Sequence, residues 1–321
     1  MKIIYIASDV RSGSTLLDYL LGNHPDAVGV GEIRYLYTHI IREGKGDKHG
    51  WNCSCGDPVE ACSFWSPVLE EVKQHGVSPR EDDTGYVLEQ GRKWKNLLTL
   101  AGLLVPIRGY QKRIVRHTQI DEGSLTHLKN CFSYMSAIHK IHDKVIVDSS
   151  KKGKQLVNLL AALESRSDVE IKVIHLIRDP RATTWSKVKR QGLPHTPWRF
   201  LRSMVSWVTE NAEIRLVRSL LEEEDWMTVR YEDLCEDLDG VLDQIWHRVG
   251  LSRDAPGLGE LNKEAKHNIC GSPTRFEKDR TEVKLERKWL DELRASHRLI
   301  YRLVAWPLLA AVGYGRRNYY K

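Results

Sequence analysis

A chain that opens with Ile3-Ile4-Tyr5-Ile6-Ala7, turns through Arg11-Ser12-Gly13-Ser14-Thr15 and resumes with Leu16, Leu17, Leu20 and Leu21 has few ways to fold. The β-branched and aromatic run reads as a buried strand and the small-residue stretch as a tight loop. The leucines, at i, i+1, i+4 and i+5, read as one face of a helix. Strand, loop and helix in that order aim backbone N–H groups and the positive end of a helix dipole at one point, a site for a tetrahedral oxyanion. Arg11 adds a charge and a fork of donors suited to such an anion. Gly22-Asn23-His24-Pro25 then stops the helix. Ala27–Gly31 reads as a second short strand that delivers Glu32 at its C-terminal end, the end at which ligands collect in open α/β sheets.

The same alternation returns after residue 140. Lys144–Asp148 reads as a buried strand followed by Ser149-Ser150-Lys151-Lys152 and a helix through Leu163. Glu170–Ile177 is the next strand, ending in Arg178-Asp179-Pro180-Arg181, where Pro180 suits the first helical position and Asp179 its cap. A long helix is predicted around Phe200 to Leu221, a strand at Trp226–Tyr231, and one further helix from Glu232 through Val249. From there the chain is polar and loop-like to about Arg280, then helical to a Gly- and Tyr-rich tail. Residues from about 40 to 140 lack this alternation and read as a mostly helical insertion over the active face. The expectation is a single domain, 1–321: an α/β fold with a central parallel sheet flanked by helices.

A net charge of +6 fits an anionic ligand, but no zinc-finger spacing or long basic tail points to nucleic acid. No stretch reaches the roughly 20 apolar residues that span a bilayer, and the first strand starts without a leader, so a cytoplasmic protein is expected. The basic segment Arg92–Arg116, with Trp94, reads as a helix with a solvated basic face, peripheral membrane contact being the alternative. Cys131, Cys235 and Cys270 stand singly and read as buried thiols. Cys53, Cys55 and Cys62 cluster, with His49 upstream. A thiol-rich structural loop is the favoured reading and a three-cysteine, one-histidine zinc knot the other, because Cys-x-Cys is tighter than usual zinc spacing.

Residues Ser8–Thr15 can be laid on the nucleoside-triphosphate loop Gly-x-x-x-x-Gly-Lys-[Ser/Thr], but Ser8 stands for the first glycine and Ser14 for the lysine that would reach the β/γ-phosphates. Asp148 could serve as the acid that supports Mg²⁺, yet without that lysine the metal–nucleotide apparatus is incomplete. A kinase or other phosphotransferase with a degenerate loop is therefore the second reading.

Two motifs give the first. Arg11-Ser-Gly-Ser-Thr-Leu-Leu17, and Leu176-Ile-Arg-Asp-Pro-Arg-Ala182 with Ser186 eight positions after Arg178, resemble the two nucleotide-binding motifs of PAPS-dependent sulfotransferases. Val229-Arg-Tyr-Glu-Asp-Leu234 is similar to a further segment of that family, and His267–Arg275 to a late loop of its bacterial members, with Ser272 where asparagine is usual. The resemblance implies the sulfotransferase version of the P-loop fold, and PAPS as donor, with Arg11, Ser12, Gly13, Ser14 and Thr15 on the 5′-phosphosulfate. It places Arg178 and Ser186 on the 3′-phosphate, Tyr231 near the adenine, and Gly271 and Arg275 in a loop closing over the cofactor. PAPS is anionic at both ends, so two separate cationic patches are expected.

The resemblance to carbohydrate and tyrosyl-protein members makes Glu32 the base, with pairing to Arg34 its structural alternative and His195 the other candidate base. Lys151, with Lys152 the neighbouring choice, resembles the lysine that bridges to the transferring group, and Ser149 or Ser150 donates a hydrogen bond. The chemistry needs no metal. The acceptor expected is a saccharide or glycolipid hydroxyl, with a tyrosyl peptide or small metabolite as alternatives. A nucleotide-binding or membrane-peripheral protein that lost its chemistry is the non-enzyme alternative.

Overall fold

The computed structural model describes residues 1–36, 40, 52–76, 122–163, 166–192, 194–252, 266–272, 276, 283–312 and 314. Much of the expected insertion lies outside them, including His49 and the basic segment 92–116, as does Arg275.

Five strands form one sheet in the order β2-β3-β1-β4-β5: β1 Lys2–Ser8, β2 Ala27–Gly31, β3 Val145–Lys151, β4 Glu170–Ile177 and β5 Trp226–Arg230. All pairings are parallel. The strands are continuous apolar runs because both faces are covered, as parallel sheets require. Ile4 and Ile6 of β1 face a core shared with Leu17, Leu20 and Leu21 of α1 (Ser14–Leu21) and with Trp246. Tyr5 and Ala7, on the opposite face, pack with Leu156 and Leu159 of the helix that follows β3 and with Ile214.

The helices between and after the strands come close to those read from the sequence. After α1, the described part of the insertion holds α2 (Trp65–Gln74) and α3 (Glu122–His142), which close a third core of Trp65, Met135 and Ile138 over Ile3 and Ile146. Next come α4 (Gly153–Leu163), α5 (Pro180–Arg190) and α6 (Pro197–Val217). Asp179 caps α5, its Oδ1 accepting from the Arg181 N–H at 2.8 Å, with Pro180 in the first turn. The single helix expected from Glu232 to Val249 is two, α7 (Tyr231–Glu236) and α8 (Leu238–Val249). Asp237 adopts a non-helical conformation between them and accepts from the Gly240 N–H, starting a new helix in place of continuing the old. The C-terminal region supplies α9 (Trp289–Glu292), α10 (Ala295–Ile300), a π turn (Tyr301–Ala305) and α11 (Trp306–Ala311), packed against Trp185, Phe200 and Trp207. Among the described residues no helix is long and apolar enough to cross a membrane.

One departure bears on the site. Ser149, Ser150 and Lys151, expected beyond the strand, belong to β3. Tyr5 pairs with Asp148 but Ala7 with Lys151, so β3 carries one extra residue there. The Asp148 carboxylate accepts from the Ser150 N–H at 2.9 Å and its hydroxyl at 2.6 Å, a local loop that stabilises the irregularity. Lys151 then sits at φ 72°, a left-handed conformation that non-glycine residues seldom adopt outside constrained sites.

Candidate active site

Every strand delivers a site residue at its C-terminal end. The β1–α1 loop is shaped by two left-handed residues, Arg11 at φ 70° and Gly13 at φ 94°. No side chain caps α1, so the loop itself lies before its N-terminal N–H groups. A Cβ on Gly13 would come within 2.4 Å of the Tyr231 ring, so the glycine is what lets Tyr231, at the end of β5, press against the loop. The Ser12 hydroxyl is buried and has no hydrogen-bond partner.

The end of β4 meets this loop. Arg178 Nη1 donates to the Arg11 carbonyl at 3.1 Å, and its guanidinium lies 4.4 Å over the Tyr231 ring. Arg178 Nε is buried without a partner. Arg11 donates from Nε to Ser186 Oγ at 3.0 Å and from Nη1 to Ser272 Oγ at 3.4 Å. The two groups of cations expected to lie apart are thus contiguous, the Arg11 side chain reaching Ser186 of the second group. Burial, Arg190 and Arg178 together push the Arg11 guanidinium pKa down, the repulsion that a bound anion would relieve.

Residues 266–272 run across the loop as a strap. Ile269 bridges Gly31 in parallel, with its N–H on the Val30 carbonyl at 2.9 Å and its carbonyl taking the Glu32 N–H at 2.7 Å. The Ser272 N–H donates to Thr15 Oγ1 at 3.1 Å. Gly271, at φ 101°, passes so close that a Cβ would lie 2.9 Å from that hydroxyl.

Glu32 is 5 % and Lys151 7 % exposed. The Lys151 ammonium donates to Glu32 Oε1, and Arg34 Nη2 lies 3.4 Å from Oε2. Burial works to raise the Glu32 pKa, but Lys151 and Arg34 outweigh it and hold the carboxyl below its usual range. Glu32 thus makes the pairing with Arg34 named as its structural alternative, and also an ion pair with Lys151 that the sequence did not predict. Lys152 points elsewhere, to Glu210 at 2.5 Å. Ser150 is engaged by Asp148, and Ser149 donates to Asp18. His195 stacks on Trp185 at 6.1 Å, and its backbone hydrogen-bonds His297.

Asp18 was not singled out in the sequence, although a carboxylate between Leu17 and Leu20 on a buried helix face is a signal. Fully enclosed, it accepts from the Gly31 N–H at 3.2 Å and from Asn268 Nδ2 of the strap. Burial raises its pKa to about 7, Ser149 and Asn268 working against that rise. It ties α1, β2 and the strap together under the site.

Comparison with known proteins agrees with this geometry. Residues 169–255, from the start of β4 past the end of α8, match the Sulfotransferase family. The segment holds Arg178, Ser186 and Tyr231. The fold is shared with the sulfotransferase domain of the Synechococcus PCC 7002 olefin synthase: TM-score 0.52, 18% identity, covering 95% of this chain and 94% of that one. A sulfotransferase domain from the curacin biosynthetic pathway gives TM-score 0.50 and 19% identity, covering 95% of this chain and 97% of that one. No curated protein matches the sequence. Residues 169–255 thus match the sulfotransferase family, and the chain as a whole shares the fold of these sulfotransferase domains.

Proposed function

We propose that the chain transfers the sulfuryl group of PAPS to an acceptor hydroxyl and releases adenosine 3′,5′-bisphosphate. The observation that carries this is the continuous cationic wall of Arg11 and Arg178, with Ser186 and Tyr231, beside the β1–α1 loop. A cofactor with two anionic groups and an aromatic base on one ribose fits that wall, and the partnerless Ser12 hydroxyl and Arg178 Nε are buried donors suited to its oxyanions. When bound, PAPS supplies an activated sulfuryl group on a phosphate leaving group. Arg11 and Ser12–Thr15 would hold its 5′ end, Arg178 and Ser186 its 3′-phosphate, and Tyr231 would flank the adenine. Gly271 would bring the strap over it, as would Arg275, which lies outside the described residues.

The chemistry belongs to the Glu32–Lys151 pair. As a carboxylate, Glu32 is ready to accept a proton, but Lys151 lowers its basicity. A lysine that turns toward a departing phosphate withdraws the nearest counter-charge from a buried carboxylate, whose proton affinity then climbs. Arg34 remains and keeps Glu32 aimed. One motion of Lys151 therefore stabilises the leaving group and activates the base, while Ser149, donating to Asp18, anchors the strand that carries the lysine.

A saccharide or glycolipid hydroxyl is the proposed acceptor, supported by the glutamate base. The test is transfer of label from PAPS, with Mg²⁺ left out, to saccharide, glycolipid, tyrosyl-peptide and small-metabolite acceptors. Labelled saccharide or glycolipid is the expected result. Transfer only to a peptide or metabolite would overturn the acceptor, and ATP-dependent, Mg²⁺-dependent phosphorylation in place of sulfation would overturn the donor. Arg178→Ala should weaken binding of adenosine 3′,5′-bisphosphate; an unchanged dissociation constant would remove Arg178 from the cofactor site.

A further inference from the structure

Outside the active site, the described residues hold one cluster whose chemistry the transfer reaction does not use. Cys53, Cys55, Cys62 and His267 place their ligand atoms within 4.8 Å of one another. Cys62 Sγ lies 3.6 Å from Cys53 Sγ, 3.7 Å from Cys55 Sγ and 3.2 Å from His267 Nδ1, and Cys53 Sγ lies 3.7 Å from that nitrogen. Zn–S bonds of about 2.3 Å and Zn–N bonds of about 2.0–2.1 Å at tetrahedral angles put ligand sulfurs about 3.8 Å apart and sulfur about 3.6 Å from nitrogen. The four separations are close to the edges of that tetrahedron. We propose that Cys53, Cys55, Cys62 and His267 form a structural zinc site that fastens the strap to the segment before α2.

The surroundings are built for ligation. Cys53 and Cys55 share a tight turn in which the Gly56 N–H donates to the Cys53 carbonyl and the Cys53 N–H to the Asp57 carbonyl, both at 2.9 Å, with Gly56 at φ 105°. That turn brings two thiols one residue apart to the same point, which overcomes the objection to Cys-x-Cys spacing. The His267 ring is held by stacking on Phe64 at 5.2 Å, and its carbonyl accepts from Trp65 Nε1 at 2.7 Å. Such outer contacts fix the orientation of a ligating imidazole. Cys53 and Cys62 are buried, while Cys55 and His267 are partly exposed and leave a path for loading. All three cysteines are free thiols. Three thiols and an imidazole favour a borderline-soft, redox-inert cation that takes four ligands, and closure by four protein ligands marks a structural role. Binding forms three thiolate–zinc bonds and one imidazole–zinc bond and releases three thiol protons to solvent.

The site would act at a distance. Beside it, the Ser54 N–H donates to the Asn268 carbonyl at 3.2 Å and the Asn268 N–H to Ser54 Oγ at 2.9 Å. Ile269 and Ser272, two and five residues beyond His267, bond Glu32 and Thr15. Fixing His267 therefore fixes the strap that positions the base and covers the anion loop.

The full chain, purified without chelator, should carry one zinc per molecule by elemental analysis. Cobalt loaded in its place should give the intense visible bands and thiolate charge transfer of a tetrahedral site. Cys55→Ser and His267→Ala should each retain less zinc by roughly tenfold or more after dialysis against a weak chelator, whereas Cys235→Ser should retain it in full. Should a ligand variant fail to fold, the cobalt spectrum of the unaltered chain still decides the matter. A zinc-free chain whose thiols titrate freely, a disulfide among the three cysteines by mass, or bound iron with sulfide would each overturn the proposal. These readouts do not depend on the identity of the sulfuryl donor.

Discussion

Glu32 and Lys151 form a buried ion pair, which in the proposed mechanism weakens the base until it is needed. Glu32→Gln keeps the shape and removes the proton acceptor. It should lower transfer by about 10²- to 10⁴-fold while adenosine 3′,5′-bisphosphate binds as before by calorimetry; unchanged turnover would exclude Glu32 as the base. Lys151→Met removes the counter-charge that, with Arg34, holds the Glu32 pKa down against burial. With only Arg34 left, burial gains the upper hand and the pKa rises. The acid limb of the kcat/KM profile should therefore move to higher pH in this variant, together with a fall in the maximal rate. An acid limb that stays in place would show that Lys151 does not control the base.

At the scale of elements, the site depends on two close approaches. The β1–α1 loop needs Gly13, both for its φ of 94° and for the 2.4 Å that a Cβ would leave to the Tyr231 ring. Gly13→Ala should cost on the order of 1–3 kcal/mol of folding stability in backbone strain alone and weaken nucleotide binding, measured by urea unfolding and calorimetry. The start of α5 needs Asp179, which caps the helix and forks onto Arg181 at 2.6 to 3.2 Å. Asp179→Ala should cost about 1 kcal/mol or somewhat more and shift Arg178, its chain neighbour, so that nucleotide affinity falls with stability. Both elements could be read from the sequence: the small residues from Ser12 to Thr15 and the Asp-Pro pair have local physical meanings that hold in any fold. The extra residue in β3 could not. It arises because the Asp148 carboxylate, buried by the sheet, bonds Ser150.

In the whole molecule, buried titratable groups of opposite sign balance. Burial raises Asp18 and Asp148 to about 7, their hydrogen-bond partners opposing it. Each contributes stability that is fully present below about pH 3.9, the unfolded value, and is lost as pH rises to about 7. Burial, with Arg34 adding to it, lowers His127 to about 4; burial lowers His175 to about 4 against the bond to Asn211. Each histidine contributes stability that is present above its unfolded value of about 6.5 and lost as pH falls toward 4. Between about pH 4 and 6.5 the two pairs oppose each other, so the parent protein should show a shallow pH dependence there. His175→Gln removes one of the acid-sensitive groups. The stability gap between parent and variant should narrow by about 2 kcal/mol from pH 7.5 to pH 5, as read by urea unfolding at both pH values; a constant gap would mean that His175 does not titrate as described.

The sequence alone determined the order of the strands along the chain, the β1–α1 loop between strand and helix, and the cap at Asp179, because each is written in neighbouring residues. It also placed Arg11, Glu32, Lys151 and Tyr231, the residues of the proposed site, at or just beyond strand ends. Only the tertiary structure decided that Lys151 and not Lys152 meets Glu32, because an extra residue in β3 sets which lysine points inward. Only it decided that Arg11 reaches across to Ser186, that Asp18 lies beneath the strap, and that His267, 205 positions from Cys62, joins three cysteines. Those partners are far apart along the chain, and only packing brings them together.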